Sequence, residues 1–195
     1  MPGRDEIVRS VYGAWRLAHL DASGMIHFNQ TIEGFYRSFA AAVLVAPLYF
    51  IQVLVQWDSD AAHAVANGQT PDSMGQSLTL EFATYAIGWL MYPALVALIS
   101  RPLALNQRYV PYIIAYNWSQ AIIIVFWLPL TAAIQTSPVE GIAPMLWLAG
   151  FLATNGYMWF VARAALQTSS ITALALVFID VLSGVALHTA LARVL

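Results

Sequence analysis

Asp180 lies inside the apolar stretch 170–192, about 15 Å from its first residue at the 1.5 Å rise of a helix. A carboxyl at that depth is costly in hydrocarbon, so it must be paired, held neutral or put to use. Two amides stand at comparable depth in other apolar stretches. Asn117 is about 12 Å into the stretch beginning at 109, and Asn155 about 12 Å from the end marked by Arg163. Gln120 follows Asn117 by one turn. Helical spacing puts Gly184 and His188 on the Asp180 face, and Glu81, Thr84, Tyr85 and Gly88 form a stripe able to face it. The expected midplane polar site is therefore Asp180, Asn117, Gln120, Asn155 and His188. It would serve either as hydrogen-bonded glue, at about 0.6 kcal/mol per interhelical bond, or as a transport site or proton relay from Asp180 through His188.

Other chemistry finds little support. No G-x-S-x-G, H-E-x-x-H or Walker A sequence occurs, and the chain has no cysteine, which removes disulfides, thiolate catalysis and Cys-type metal sites. His19, His27, His63 and His188 are scattered, so no single metal site is expected. Asp58, Asp60 and Asp72 read as a solvated loop more readily than as a cation site. No cofactor is implied. The eight basic residues, all arginine, oppose ten acids for a net charge of −2, leaving no basic surface for nucleic acid.

The elements that must position Asp180 follow from composition. With 60% hydrophobic and 9% charged residues, against roughly 25% charged in soluble domains, the chain reads as a membrane protein. A membrane helix needs about 20 apolar residues, and five such spans are expected at 39–57, 80–99, 109–130, 144–161 and 170–192. Pro47, Pro93 and Pro129 fall inside them as kinks; Pro111 and Pro144 sit near helix starts, where a missing N–H costs little. The segment 58–79 is the longest connection, with AAHAVA able to form a turn or two. The predicted class is all-α: a polytopic membrane helical bundle of five transmembrane helices (39–195) after an amphipathic cytoplasmic segment (1–38).

In that segment a first helix over 6–20 would group Ile7, Val8, Val11, Tyr12, Trp15 and Ala18 on one face. Its Trp15, Tyr12, Arg9 and Arg16 suit the bilayer interface, either covering the bundle or docking a partner. Asn29 or Thr31 would cap a second helix. Seven of the eight arginines, Arg4, Arg9, Arg16, Arg37, Arg101, Arg108 and Arg163, fall on one side of the five spans, and Asp58, Asp60, Asp72 and Glu140 on the other with Arg193 alone. By the positive-inside rule the amino terminus is cytoplasmic and the carboxyl terminus periplasmic. Abundant alanine and arginine without lysine suggest a GC-rich bacterial gene, and hence the inner membrane.

A cytoplasmic amino-terminal segment followed by five closely spaced spans with short connections such as RPLALNQR resembles the Yip1-like family of multispanning membrane proteins. The Asp-Leu-Tyr-Gly-Pro type of sequence found in its eukaryotic members is absent here, so no functional residue carries over. The resemblance implies membrane organisation through protein partners. The expected role is thus a non-catalytic scaffold or accessory subunit, with the lipid bilayer and other membrane proteins or a second copy as partners. The alternative is a small transporter or proton-conducting protein built around Asp180.

Overall fold

The computed structural model describes residues 2–71, 73–103, 105–137, 139 and 141–194; Asp72 and Glu140 lie outside the described residues. Among those described there is no strand. Seven α-helices follow one another: α1 (Arg4–Ala18), α2 (Ile32–Ser38), α3 (Ala40–Ala66), α4 (Met74–Ser100), α5 (Tyr109–Thr136), α6 (Ile142–Leu166) and α7 (Ser170–Leu191). Short 3-10 turns at Ala22–His27 and Asn106–Arg108 complete the order. The last five helices, α3 to α7, are each long and apolar enough to cross a membrane.

Local chemistry sets the helix starts. Ser73 Oγ accepts the Gln76 backbone N–H at 3.2 Å to open α4, and Ser169 Oγ accepts that of Thr172 at 3.2 Å to open α7. Of the two candidate caps for α2, Thr31 takes the role, accepting the Gly34 N–H at 3.0 Å. The helices run unbroken through Pro47, Pro93 and Pro129. Their ends differ from the apolar runs. α3 continues nine residues beyond 57, carrying Asp58, Asp60 and His63 on a helix, because the alanine-rich segment that follows is a strong helix former. It stops at Asn67 and Gly68, whose φ of 71° suits glycine.

The five long helices close a ring in the order α3, α5, α6, α7, α4, with α4 returning to α3. We call the end where α3, α5 and α7 begin the near end. Burial is uneven along the ring. The buried residues of α4 are Tyr92, Pro93, Val96 and Ser100, and those of α7 are Ala173, Leu176 and Val177, all toward the near end. Tyr112, Ile113, Val161 and Leu166 join them in one close-packed core. Toward the far end the helices part.

The amino-terminal unit packs on the near half of α5. Its buried face differs from its apolar stripe. Ser10, Gly13, Ala14 and Leu17 face inward, while Val8, Tyr12 and Trp15 are at least half exposed. Small residues allow the close approach that the larger apolar ones would block: the space a Gly13 Cβ would fill is 2.8 Å from the Gly24 carbonyl oxygen. Side-chain bonds fix the unit to the ring and α2 to α1. Tyr157 donates to the Ala14 carbonyl at 2.9 Å, and Arg37 to Glu6 at 2.9 Å.

Candidate functional site: a polar cavity inside the helix ring

Each of four helices turns one face toward the middle of the ring. On α3 these are Val45, Tyr49, Gln52 and Gln56; on α4, Thr84, Tyr85, Gly88 and Tyr92. On α5 the stripe is Tyr116, Gln120, Trp127, Thr131 and Gln135, and on α7 it is Asp180, Ser183 and Gly184. Together with Trp147 of α6 they enclose a cavity of about 630 Å³. That is ample for a small organic molecule.

The deepest polar group of the cavity is the Asp180 carboxyl. Tyr116 donates its hydroxyl to both carboxyl oxygens, at 3.0 Å and 3.2 Å. The Tyr116 ring stacks on Tyr92 with centroids 4.5 Å apart, and the Tyr92 and Tyr112 hydroxyls meet at 2.5 Å. Below this tyrosine cluster lies the fully buried near-end core of Ile113, Val96 and Leu176. The cavity is therefore closed below Asp180 and extends toward the far end, past Gln56 and Gln135. There Ser59 donates to Gln135 at 2.6 Å, tying α3 to α5.

At the rim, Tyr49 donates to Glu81 at 2.6 Å, and the other Glu81 oxygen lies 3.3 Å from His188 Nε2. The stripe of Asp180, Gly184 and His188 thus runs up α7 opposite Glu81, Thr84, Tyr85 and Gly88 on α4. Gln52 Oε1 and Thr84 Oγ1 are buried atoms without a hydrogen-bond partner. Buried polar atoms are paired in the great majority of cases, and these two belong to cavity-lining residues.

The residues expected to share one polar layer are divided by the structure. Asp180 and Gln120 line the same cavity, and His188 stands at its rim. Asn117 does not join them. It is fully buried on the side of α5 that meets the amino-terminal unit, donating to Ser38 Oγ at 2.9 Å. Asn155 donates to the Phe151 carbonyl of its own helix at 2.7 Å. Residues missed from sequence include Tyr116, Gln52 and Gln135. Their signal was the recurrence of polar and aromatic residues at 116, 120, 127, 131 and 135 along one face of α5.

On the amino-terminal helix, Arg16 bonds Asp21 and lies 5.9 Å from the Tyr12 ring centroid. Trp15 packs against His19 at 4.4 Å, and Arg9 is exposed. A second cavity, about 850 Å³, lies on the outer side of α5 between α3, α6 and Trp15 of α1, and its walls are almost wholly apolar. Among the described residues no three His, Asp or Glu side chains gather as metal ligands would. What the ring cavity offers is amide and hydroxyl groups that both donate and accept, aromatic surface and one carboxyl. Comparison with protein-family models, curated proteins and solved structures finds no match.

Proposed function

We propose that this chain is a multi-pass membrane protein, crossing the bilayer with α3 to α7, which takes a small solute into the ring cavity and acts as a transporter. The observation that carries this reading is the cavity that ends on Asp180, its largely carbon walls set with amide and hydroxyl side chains. Hydrogen-bonded glue would leave no such space, because a lone carboxyl at depth would be enclosed by its partners. The arginines support an orientation with the near end cytoplasmic, since Arg37, Arg101, Arg108 and Arg163 lie there and Asp58 and Asp60 lie at the far end. Composition supports the bacterial inner membrane. The cavity then faces the periplasm.

A scaffold or accessory-subunit role is the second reading. The apolar 850 Å³ groove beside Trp15 favours it, and so does the layout shared with the Yip1-like family, which implies partner proteins. The two readings part over water in the ring.

The native chain has no cysteine, so single-cysteine variants report without background. A Cβ at Gly88 or Gly184 would meet nothing within 4 Å, so Gly88→Cys and Gly184→Cys fit the cavity wall. Both should react with a membrane-impermeant thiol reagent in right-side-out vesicles and not in inverted ones. Phe178→Cys, on the exposed outer face of α7, should react in neither. Unreactive thiols at both glycines would leave the scaffold reading in possession.

A further inference from the structure

We infer that the solute recognised at Asp180 is a small organic cation, an amine or quaternary ammonium group on an apolar body; this rests on the solute-cavity reading above. Asp180 is the sole charged residue lining the cavity among the described residues, and no arginine or histidine reaches it. Its one side-chain donor is Tyr116. An ionised carboxylate has about four acceptor positions, so most remain open toward the cavity. A charge at such depth calls for a counter-charge. The protein supplies none, and a cationic solute would.

The rest of the lining has the same preference. Gln52 Oε1 is an acceptor without a donor, suited to an ammonium N–H. The stacked rings of Tyr92 and Tyr116 flank the carboxyl, with Trp89 in the same wall. Aromatic faces attract organic cations, at about 0.5–2 kcal/mol each depending on how dry the site is. Glu81 at the rim is a second carboxyl near the entrance, held between Tyr49 and His188. Hard metal ions are poorly served. Calcium takes about six to eight oxygen ligands and magnesium near-octahedral ones, whereas carbon dominates these walls. An anion would meet the one carboxyl the cavity holds and no basic group.

The test compares two thiosulfonate reagents of similar size on Gly184→Cys in vesicles, one bearing trimethylammonium and the other sulfonate. Rates are normalised to those at Gln69→Cys in the exposed α3–α4 loop. The cationic reagent should be favoured by about tenfold or more. That preference should fall close to parity with Asp180→Asn and persist with Asp180→Glu, which guards against a misfolded variant. Tetraethylammonium should slow the reaction where sodium at the same concentration does not. If neither reagent reacts, the solute-cavity reading itself falls. If both react at equal normalised rates, or sodium protects as well as tetraethylammonium, the cavity stands and the organic cation is overturned.

Discussion

Tyr116 holds Asp180 from across the ring, one hydroxyl of α5 bridging both carboxyl oxygens of α7. The bond sits at the floor of the cavity, between the packed near-end core and the open far half. This position decides how much it matters to stability. Where water reaches a carboxyl, losing one donor costs little; where none reaches an amide, the loss is felt.

Tyr116→Phe should therefore lower stability by less than about 1 kcal/mol, the size measured for most interhelical hydrogen bonds in membranes. Asn117→Ala removes a fully buried side chain and its bond to Ser38 Oγ, which keeps its own bond to the Phe35 carbonyl, so lost packing and lost bond together cost about 1–3 kcal/mol. Thermal unfolding of the two variants in the same detergent gives the comparison. A larger loss for Tyr116→Phe would mean that the Asp180 side of α5 is as dry as the Asn117 side.

The same two neighbours show what could be read from the chain and what could not. The five long helices are plain in the apolar runs. The stripe of Asp180, Gly184 and His188 is plain from i, i+4 spacing, as is the stripe from Glu81 to Gly88 that lies opposite it. Rise per residue gives depth, and by depth Asn117, Asn155 and Asp180 belong together. Each residue also turns about 100° around the axis, so Tyr116 and Asn117 at one depth face different neighbours. Depth without azimuth joined residues that the packing separates. The first helix shows a second limit. Hydrophobicity marks its stripe of Val8, Tyr12 and Trp15, which stays exposed, but not the face that packs, because close approach to Gly24 selects Gly13 and Ala14 by size. Helix length slipped where Ala61, Ala62, Ala64 and Ala66 carried α3 past its apolar run.

Gly13 and Gly24 face each other so closely that a Cβ on Gly24 would stand 2.5 Å from the Gly13 carbonyl oxygen. Neither backbone can yield without moving α1 off its turn. Gly24→Ala should cost about 1–3 kcal/mol, as overpacking does. It should increase the rate of limited proteolysis before residue 32 while leaving thiol labelling at Gly184→Cys unchanged. Proteolysis at the native rate would show that the contact is looser than described.

Asp21 caps the turn after α1. It accepts the Ser23 hydroxyl at 2.6 Å and its backbone N–H at 2.9 Å, and pairs with Arg16. These bonds, the Ser23 hydroxyl foremost, hold its pKa below the ordinary carboxylate value. The unfolded state thus binds the proton more readily. The contribution is complete above the unfolded pKa and is lost as pH falls through the lower folded one. The Ser23 amide proton shift, which reports the Asp21 carboxyl it bonds, should stay constant from neutral pH down to the ordinary aspartate range and change only below it. Asp21→Asn should abolish that acid step; an unchanged step would assign it to another carboxyl.

The central claim is that the ring binds an organic cation at Asp180. Calorimetric titration of tetraethylammonium into the protein in lipid nanodiscs tests it most directly, with Asp180→Asn and Asp180→Glu alongside. The account predicts saturable one-to-one binding to the native chain, retained with glutamate and lost with asparagine. No saturable heat from the native chain, or the same heat from Asp180→Asn, would contradict it.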